Sequence, residues 1–330
     1  VSVVIAAFTM DRWDYLQKAV ASVRAQTVPV HETVVVIDHH PDLLARARRE
    51  LTDVTVIPNA GGRGASSSRN TGVAASSGEV VAFLDDDAVA SATWLEPLLR
   101  YFTRPDVIGV GGRLDPLWAG SRPRWFPPEF GWVVGVSYRG MPDRPGPVRN
   151  VWSGNMAVRR HVFDAVGGFR PDFGKVGGRS RPEDTDFCLR AAADRGTWIY
   201  EPAGLARHRV PVQRATFSFF LRRCFHEGHG KAALAALNGV RESTSTERQY
   251  TRRLLPAGVA RGLGDIIKGD AFGGLRSAAI GAGFLSAAAG FLAGRAARIV
   301  HRTDPPPARS AAGRGQLPGR QEGAADANSR

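Results

Sequence analysis

The chain has 330 residues, which is room for one large α/β domain or two ordinary ones, and its 43% hydrophobic and 8% aromatic content can bury a sizeable core. Two cysteines exclude a disulfide framework and a cysteine-based zinc cluster. The net charge of +13 is lopsided: residues 1–208 carry 25 basic and 23 acidic side chains and residues 209–330 carry 19 and 8, so a nucleic-acid-binding body is disfavoured, and the basic C-terminal third suits an anionic membrane surface.

The chain opens inside an apolar run with no basic leader ahead of it, so a cytoplasmic protein is expected. Continuous Val/Ile-rich runs at 2–6, 33–37, 54–57 and 80–84 read as strands buried on both faces. Helical patterns at 13–25, 41–51 and 67–75 lie between them, which predicts a Rossmann-like, mostly parallel sheet flanked by helices. Ligands of such sheets bind past the carboxyl ends of the strands. Thr9, Asp38, Asn59 and the triplet Asp85-Asp86-Asp87 fall there. Residues 115–150, with Trp118, Trp125, Trp132 and seven prolines, read as a long aromatic loop. A helix is expected over 182–195, two short strands at 198–200 and 205–209, and a helical pattern over 214–238. The Ala/Gly/Leu/Arg-rich stretch up to residue 302 reads as a helical extension, and 303–330 as a disordered basic tail.

An acidic triplet at a buried strand end is a natural seat for Mg²⁺ or Mn²⁺, which prefer oxygen ligands; alone it is equally a solvated turn. Pro182-Glu183-Asp184-Thr185-Asp186 fits ordinary acidic enrichment at a helix start, unless the fold carries Asp184 opposite the triplet. His208 is by itself a structural histidine, with His39, His40, His226 and His229 as competing ligands. Gly61–Gly64 resembles a phosphate-cradling turn but matches neither the dinucleotide nor the P-loop pattern.

Taken in order, the segments VSVVIAAFTMDRWDYLQKAVASVRAQT, VVVIDHH, SSSRNTGVAAS, GEVVAFLDDDA, GNMAVRRHVFDAVGGF, PEDTDFCLRA and ARHRVP resemble a family-2 glycosyltransferase of the GT-A fold over residues 1–235. The resemblance implies a catalytic domain at 1–235; by composition, with no charge over 277–294 and basic residues around it, 236–302 reads as a helical extension that associates with a membrane, the alternative being a helical cap on the catalytic domain. The resemblance also implies nucleotide-sugar contacts from Thr9, Asp38, Arg69, Asp85 and Asp86, with Asp38 accepting from a uracil N–H. It implies an Mn²⁺ or Mg²⁺ ion on the Asp-Xaa-Asp pair Asp85 and Asp87 with His208, Asp184 as general base, and Glu183 positioning the acceptor. Trp152, Asn155 and Trp125 are the acceptor-side candidates. The implied reaction is inverting transfer from a nucleotide-sugar, UDP-linked by family likeness, to a glycan or polyprenyl-linked acceptor at the inner face of the cell membrane. DRWDYL, VIDHHPDLL and WVVGVSYRG are similar to transferases that extend polyprenyl- or dolichyl-phosphate-linked sugars. The competing readings are a sugar nucleotidyltransferase, which would want a Gly-rich basic signature near the first strand where only Arg12 stands, and a non-catalytic module, which would be free to lose Asp85, Asp87 and Asp184.

Overall fold

The computed structural model describes residues 1–176, 179–193, 196–238 and 245–303. The expected tail lies, beyond Thr303, outside the described residues.

Strands β1 (Ser2–Ala7), β2 (Glu32–Ile37), β3 (Thr55–Pro58) and β4 (Val80–Asp85) alternate with helices α1 (Trp13–Arg24), α2 (Pro41–Glu50) and α3 (Ala65–Ala75). The strands pair side by side in the order β3-β2-β1-β4, every pairing parallel. The apolar runs explain this: neighbouring residues point to opposite faces, and both faces are covered. Val3 and Ile5 pack with Leu16, Val20 and Val23 of α1, whereas Val4 packs with Val36 and with Val73 of α3.

Past β4 the sheet becomes mixed. It continues through β5 (Ala88–Ala90), α4 (Leu95–Leu99), β6 (Val107–Trp118), β7 (Gly146–Val148), β8 (Asn155–Arg159) and α5 (Arg160–Val166). A small hairpin, β9 (Gly174–Val176) and β10 (Arg179–Arg181), leads into α6 (Glu183–Ala191), and β11 (Thr197–Val210) closes the sheet. β8 lies antiparallel between β4 and β6, and β11 runs parallel to β6. The two strands expected at 198–200 and 205–209 are one strand with a register shift between Glu201 and Leu205. Buried Glu201 organises that shift by accepting from Tyr101 Oη and Ala203 N and pairing with Arg100.

The aromatic stretch expected to be a loop builds a third core instead. A 3₁₀ segment, Pro128–Val134, packs against α7 (Phe217–Asn238), and beyond α8 (Ser245–Gln249) the helices α9 (Leu255–Ile267) and α10 (Phe272–Thr303) close over it. Phe126, Phe130 and Val134 meet Phe220, Leu255 and Ile280 there. Residue 235, the expected end of the catalytic unit, lies inside α7, and the helices after it share this core with residues 126–136. Trp125, expected at the acceptor, belongs to the same cluster, with ring centroids 5.2 Å from Phe217 and 5.6 Å from Phe220.

Gly290 and Gly228 let α7 and α10 touch backbone to backbone. A Cβ at Gly290 would stand 2.0 Å from Phe225 O, and one at Gly228 would stand 1.9 Å from Ala287 O. Gly290→Leu must part the helices and should cost at least the ~1–3 kcal/mol of core overpacking, read as a lower urea midpoint. An unchanged midpoint would mean that these helices do not pack so closely in solution.

Candidate active site

The carboxyl ends of β1, β2 and β4 and the start of α3 face a cleft of about 1560 Å³, whose other wall is α6, β11, α7 and the last two helices. β1 pairs Ala6 with Asp85, so the acidic triplet emerges beside the end of the first strand. The chain then turns into β5, which pairs antiparallel with β11 and sets Ala88 opposite His208. Arg209 N donates to Asp87 O at 2.9 Å, and this backbone register carries the histidine to the triplet.

His208 Nε2 lies 3.1 Å from Asp87 Oδ1 and 3.8 Å from Asp85 Oδ2. The ligand atoms of Asp85, Asp87 and His208 all lie within 4.8 Å of one another. Two carboxylates and one imidazole suit a hard or borderline divalent cation, so the donor set fits the ion that the sequence implied. Gly154 keeps room for this group, since a Cβ there would stand 2.5 Å from Asp85 Oδ2. Gly135, at φ +84°, lies where a Cβ would press on the His208 ring at 3.0 Å.

Arg12 holds the other side of the triplet. Its Nη1 is 2.7 Å from Asp86 Oδ1 and 3.1 Å from Asp87 Oδ2. Burial alone would raise the Asp87 carboxyl, but the His208 hydrogen bond and the charges of His208 and Arg12 hold it well below the usual carboxylate range. Asp86 behaves oppositely. Burial and the neighbouring Asp87 outweigh Arg12 and push it up to about 7, and its Oδ2 has no hydrogen-bond partner among the described residues. Asp86 therefore leans on Arg12, while Asp85 and Asp87 turn to the histidine.

Across the cleft, Glu183 and Asp184 form the first turn of α6. Arg69, buried on α3, spans the two sides: Nη2 is 3.1 Å from Asp85 Oδ1 and Nη1 is 3.3 Å from Glu183 Oε1. The later pair of carboxylates thus faces the earlier triplet in one cavity. Burial, together with the adjacent Glu183 charge, pushes Asp184 up to about 7, against the Thr185 N–H bond at 2.7 Å and the Lys231 charge. Asp186, the third carboxylate of that segment, is fully buried and paired with Arg190 at 2.9 Å and Arg170 at 3.3 Å, which makes it structural.

Asp38 lines the cleft and is well held. Its Oδ1 accepts from Asn59 Nδ2 at 2.7 Å and contacts His39 Nδ1 at 2.9 Å, while Oδ2 accepts from Gly64 N at 2.9 Å. Trp152 also lines the cleft. Three expected contacts stand elsewhere. Thr9 accepts from Asp11 N at 3.3 Å as the cap of a 3₁₀ turn, and its neighbour Phe8 reaches the cleft instead. Asn155 is buried, donates to Arg113 O and Gly204 O, and accepts from Trp94 Nε1 at 2.7 Å, so every polar atom of its amide serves the sheet. Trp125 lies in the third core.

Sequence reasoning missed Arg214. It sits on the 3₁₀ turn Val212–Ala215 after β11 and lines the cleft. Burial, against the attraction of Asp87 and Asp85, lowers its guanidinium pKa. Among the described residues its one hydrogen bond is to Val134 O, at 3.5 Å. An isolated arginine six positions past the histidine carries no signal in spacing or periodicity. Farther along, Arg149, Lys231 and Glu247 join in ion pairs at 2.7–2.8 Å, and beyond them the wall turns apolar with Trp132, Tyr250, Leu254, Phe284 and Phe291.

The sequence model of the family described as Glycosyl transferase family 2 matches residues 2–167. The chain is 33% identical over 243 residues to the glucosyl-dolichyl phosphate glucuronosyltransferase of Haloferax volcanii, spanning 72% of this chain and 78% of that one. It is 28% identical over 239 residues to the succinoglycan biosynthesis protein ExoM of Rhizobium meliloti, spanning 69% and 74%. Among solved structures it resembles the mannosyltransferase PcManGT from Pyrobaculum calidifontis in complex with GDP-Man and Mn²⁺. That likeness has a TM-score of 0.56 at 16% identity and covers 88% of this chain and 86% of the other. At such identity it speaks for the fold.

Proposed function

The chain belongs to glycosyl transferase family 2 and has the GT-A fold, and from that premise we propose that it moves a sugar from a UDP-linked donor to a hydroxyl of a lipid-linked glycan, with inversion at the anomeric carbon. The observation that carries the mechanism is the bridge made by Arg69. One buried guanidinium touches both Asp85 and Glu183, the neighbour of Asp184 in the first turn of α6, so a cation-holding group and the turn that carries the candidate base share a single reaction space.

In this reading Asp184 takes the proton of the acceptor hydroxyl as its oxygen bonds to the anomeric carbon and the bond to the diphosphate breaks. With a pKa near 7, Asp184 is partly ionised at neutral pH, which suits a general base. Asp85, Asp87 and His208 would hold Mn²⁺ or Mg²⁺, whose chemistry is to neutralise the charge gathering on the leaving diphosphate. A nucleoside diphosphate leaves without protonation, so one protein base suffices, unlike the carboxylate pair of a glycosidase. Asp38 Oδ2 accepts a single bond from Gly64 and keeps a lone pair for a ring N–H of the nucleotide base, and uracil is taken as that base from the family resemblance.

Arg214 is suited to grip the same diphosphate, because it lines the cleft near Asp87 without an ion-pair partner among the described residues. Hydrogen bonds to charged groups contribute about 1.5–3 kcal/mol. Arg214→Ala should therefore weaken nucleoside-diphosphate binding about 10- to 100-fold in calorimetry. Equal affinity would remove Arg214 from the donor site.

The lipid-linked acceptor is supported by the Haloferax relative, whose name specifies a glucosyl-dolichyl phosphate substrate, and by the apolar far wall of the cleft. The helical stretch Phe272–Ala297 is long and apolar enough to cross a membrane by length and composition, and we place the protein at the inner face of the cell membrane. A screen of nucleotide-sugars for diphosphate release, with and without Mn²⁺ or Mg²⁺ and with a polyprenyl-phosphate-linked sugar as acceptor, tests the whole reading. Release from no sugar nucleotide under any of these conditions would defeat it.

A further inference from the structure

A second pocket of about 410 Å³, which shares no lining residue with the cleft of Asp87 and Asp184, is walled by Arg122, Arg124, Arg139, Arg261 and Arg276. Part of this charge is already spent. Arg261 pairs with buried Glu129, and Arg276 reaches Asp265 and Asp270, each at 2.8 Å. Arg124 lies 3.4 Å from Asp270 and stacks on the Phe272 ring. Arg122 and Arg139 form no ion pair among the described residues, and Arg122 donates only to Phe126 O at 2.9 Å. Five arginines against Glu129, Asp265 and Asp270 leave the pocket cationic.

The turn from α9 to α10 borders this pocket through Asp265 and Arg276, and its apolar side chains point outward. Ile267 is 89% exposed, Leu275 53%, Leu263 52% and Ile266 45%, with exposed Lys268 beside them. A tip of bare aliphatic side chains next to a cationic pocket matches the two zones of an anionic bilayer surface, acyl chains and phosphates. A soluble acidic protein would account for the arginines but not for Ile267.

We propose that the Arg122–Arg139 pocket takes the phosphate headgroup of an anionic phospholipid while Leu263, Ile266, Ile267 and Leu275 enter the bilayer. This deepens the inner-membrane placement under the proposed function and rests on it. It also sets the orientation. Arg276 and Phe284 are eight residues apart on α10, about 12 Å along the helix. Docking at the turn therefore holds the apolar end of the cleft close to the lipid, where a chain-bearing acceptor would enter.

The test is flotation of the full chain with vesicles of phosphatidylglycerol and phosphatidylcholine mixed one to two, and with phosphatidylcholine alone. Wild type should float with the anionic vesicles, more weakly at high salt, and should stay down with the neutral ones. Ile267→Asp and the double variant Arg122→Glu, Arg139→Glu should each lose at least about tenfold in vesicle affinity. None of these residues lines the catalytic cleft, so diphosphate release with a detergent-dispersed acceptor should stay at the wild-type rate. Wild-type flotation by both variants would overturn the proposal. So would equal flotation on neutral vesicles, or an inorganic-phosphate-induced rise in melting temperature in a wild type that ignores anionic vesicles, which would mark a free-anion site. Loss of glycosyl transfer with flotation intact would count against the catalytic reading and leave the docking surface standing.

Discussion

Asp184→Asn keeps donor binding and lowers the rate of transfer by about 10²–10⁴-fold, the usual contribution of a positioned base. The amide matches the carboxylate in shape and can still accept from Thr185 N, so α6 should keep its first turn. What it loses is the ability to take a proton. The pH dependence separates this from a structural effect. Burial and the Glu183 charge hold Asp184 near 7, so wild-type turnover should climb as pH rises through about 7, where the carboxyl becomes ionised. In the variant that step should vanish from the profile, while donor affinity by calorimetry stays within about twofold. Near-wild-type turnover would remove Asp184 from the mechanism.

Asp87→Asn should abolish the metal dependence of donor binding. Asp87 is nearly inaccessible and lies between His208 at 3.1 Å and Arg12 at 3.1 Å. Truncation to alanine would leave the Arg12 guanidinium and the His208 ring beside an empty space, and breaking a buried pair in this way costs about 3–5 kcal/mol. The isosteric amide avoids that loss of packing and still removes the charge. Losing an outer-shell partner alone typically costs about 10–100-fold in metal affinity, so loss of a direct ligand should cost at least as much. Mn²⁺ titration followed by electron paramagnetic resonance, with donor binding measured at each concentration, reads both quantities. Unchanged Mn²⁺ affinity would contradict the ligand assignment.

Much of the architecture was legible because it is local. Val3–Ile5 and Val34–Ile37 are apolar at every position, which only a doubly covered strand accommodates, and the structure pairs those strands in parallel. Asp85 and Asp87 could be read as a site because a buried strand ends at them. Asp184 and His208 could not be assigned on their own chemistry; the order of the seven segments pointed to them. Some readings misplaced polar and aromatic side chains for a common reason. Asn155 and Trp125 follow turns and proline-rich sequence that resemble a binding loop, yet one knits β8 to its neighbours and the other fills a core that residues 217–224 complete. The basic side chains of the C-terminal third divide similarly. Arg261 and Arg276 turn inward to carboxylates, whereas Arg252, Arg253 and Lys268 are exposed.

The amino-acid sequence by itself determined the parallel half of the sheet, the acidic strand end and the family, because periodicity and motif order are properties of neighbouring residues. Only the tertiary structure decided what meets across the cleft. The register of β5 on β11 delivers His208 to Asp87, Arg69 joins Asp85 to Glu183, and the turn after Val210 brings Arg214 toward the same charges. These contacts join residues far apart in the chain, and their distances follow from how three cores pack around one curved sheet, a quantity that no local pattern encodes.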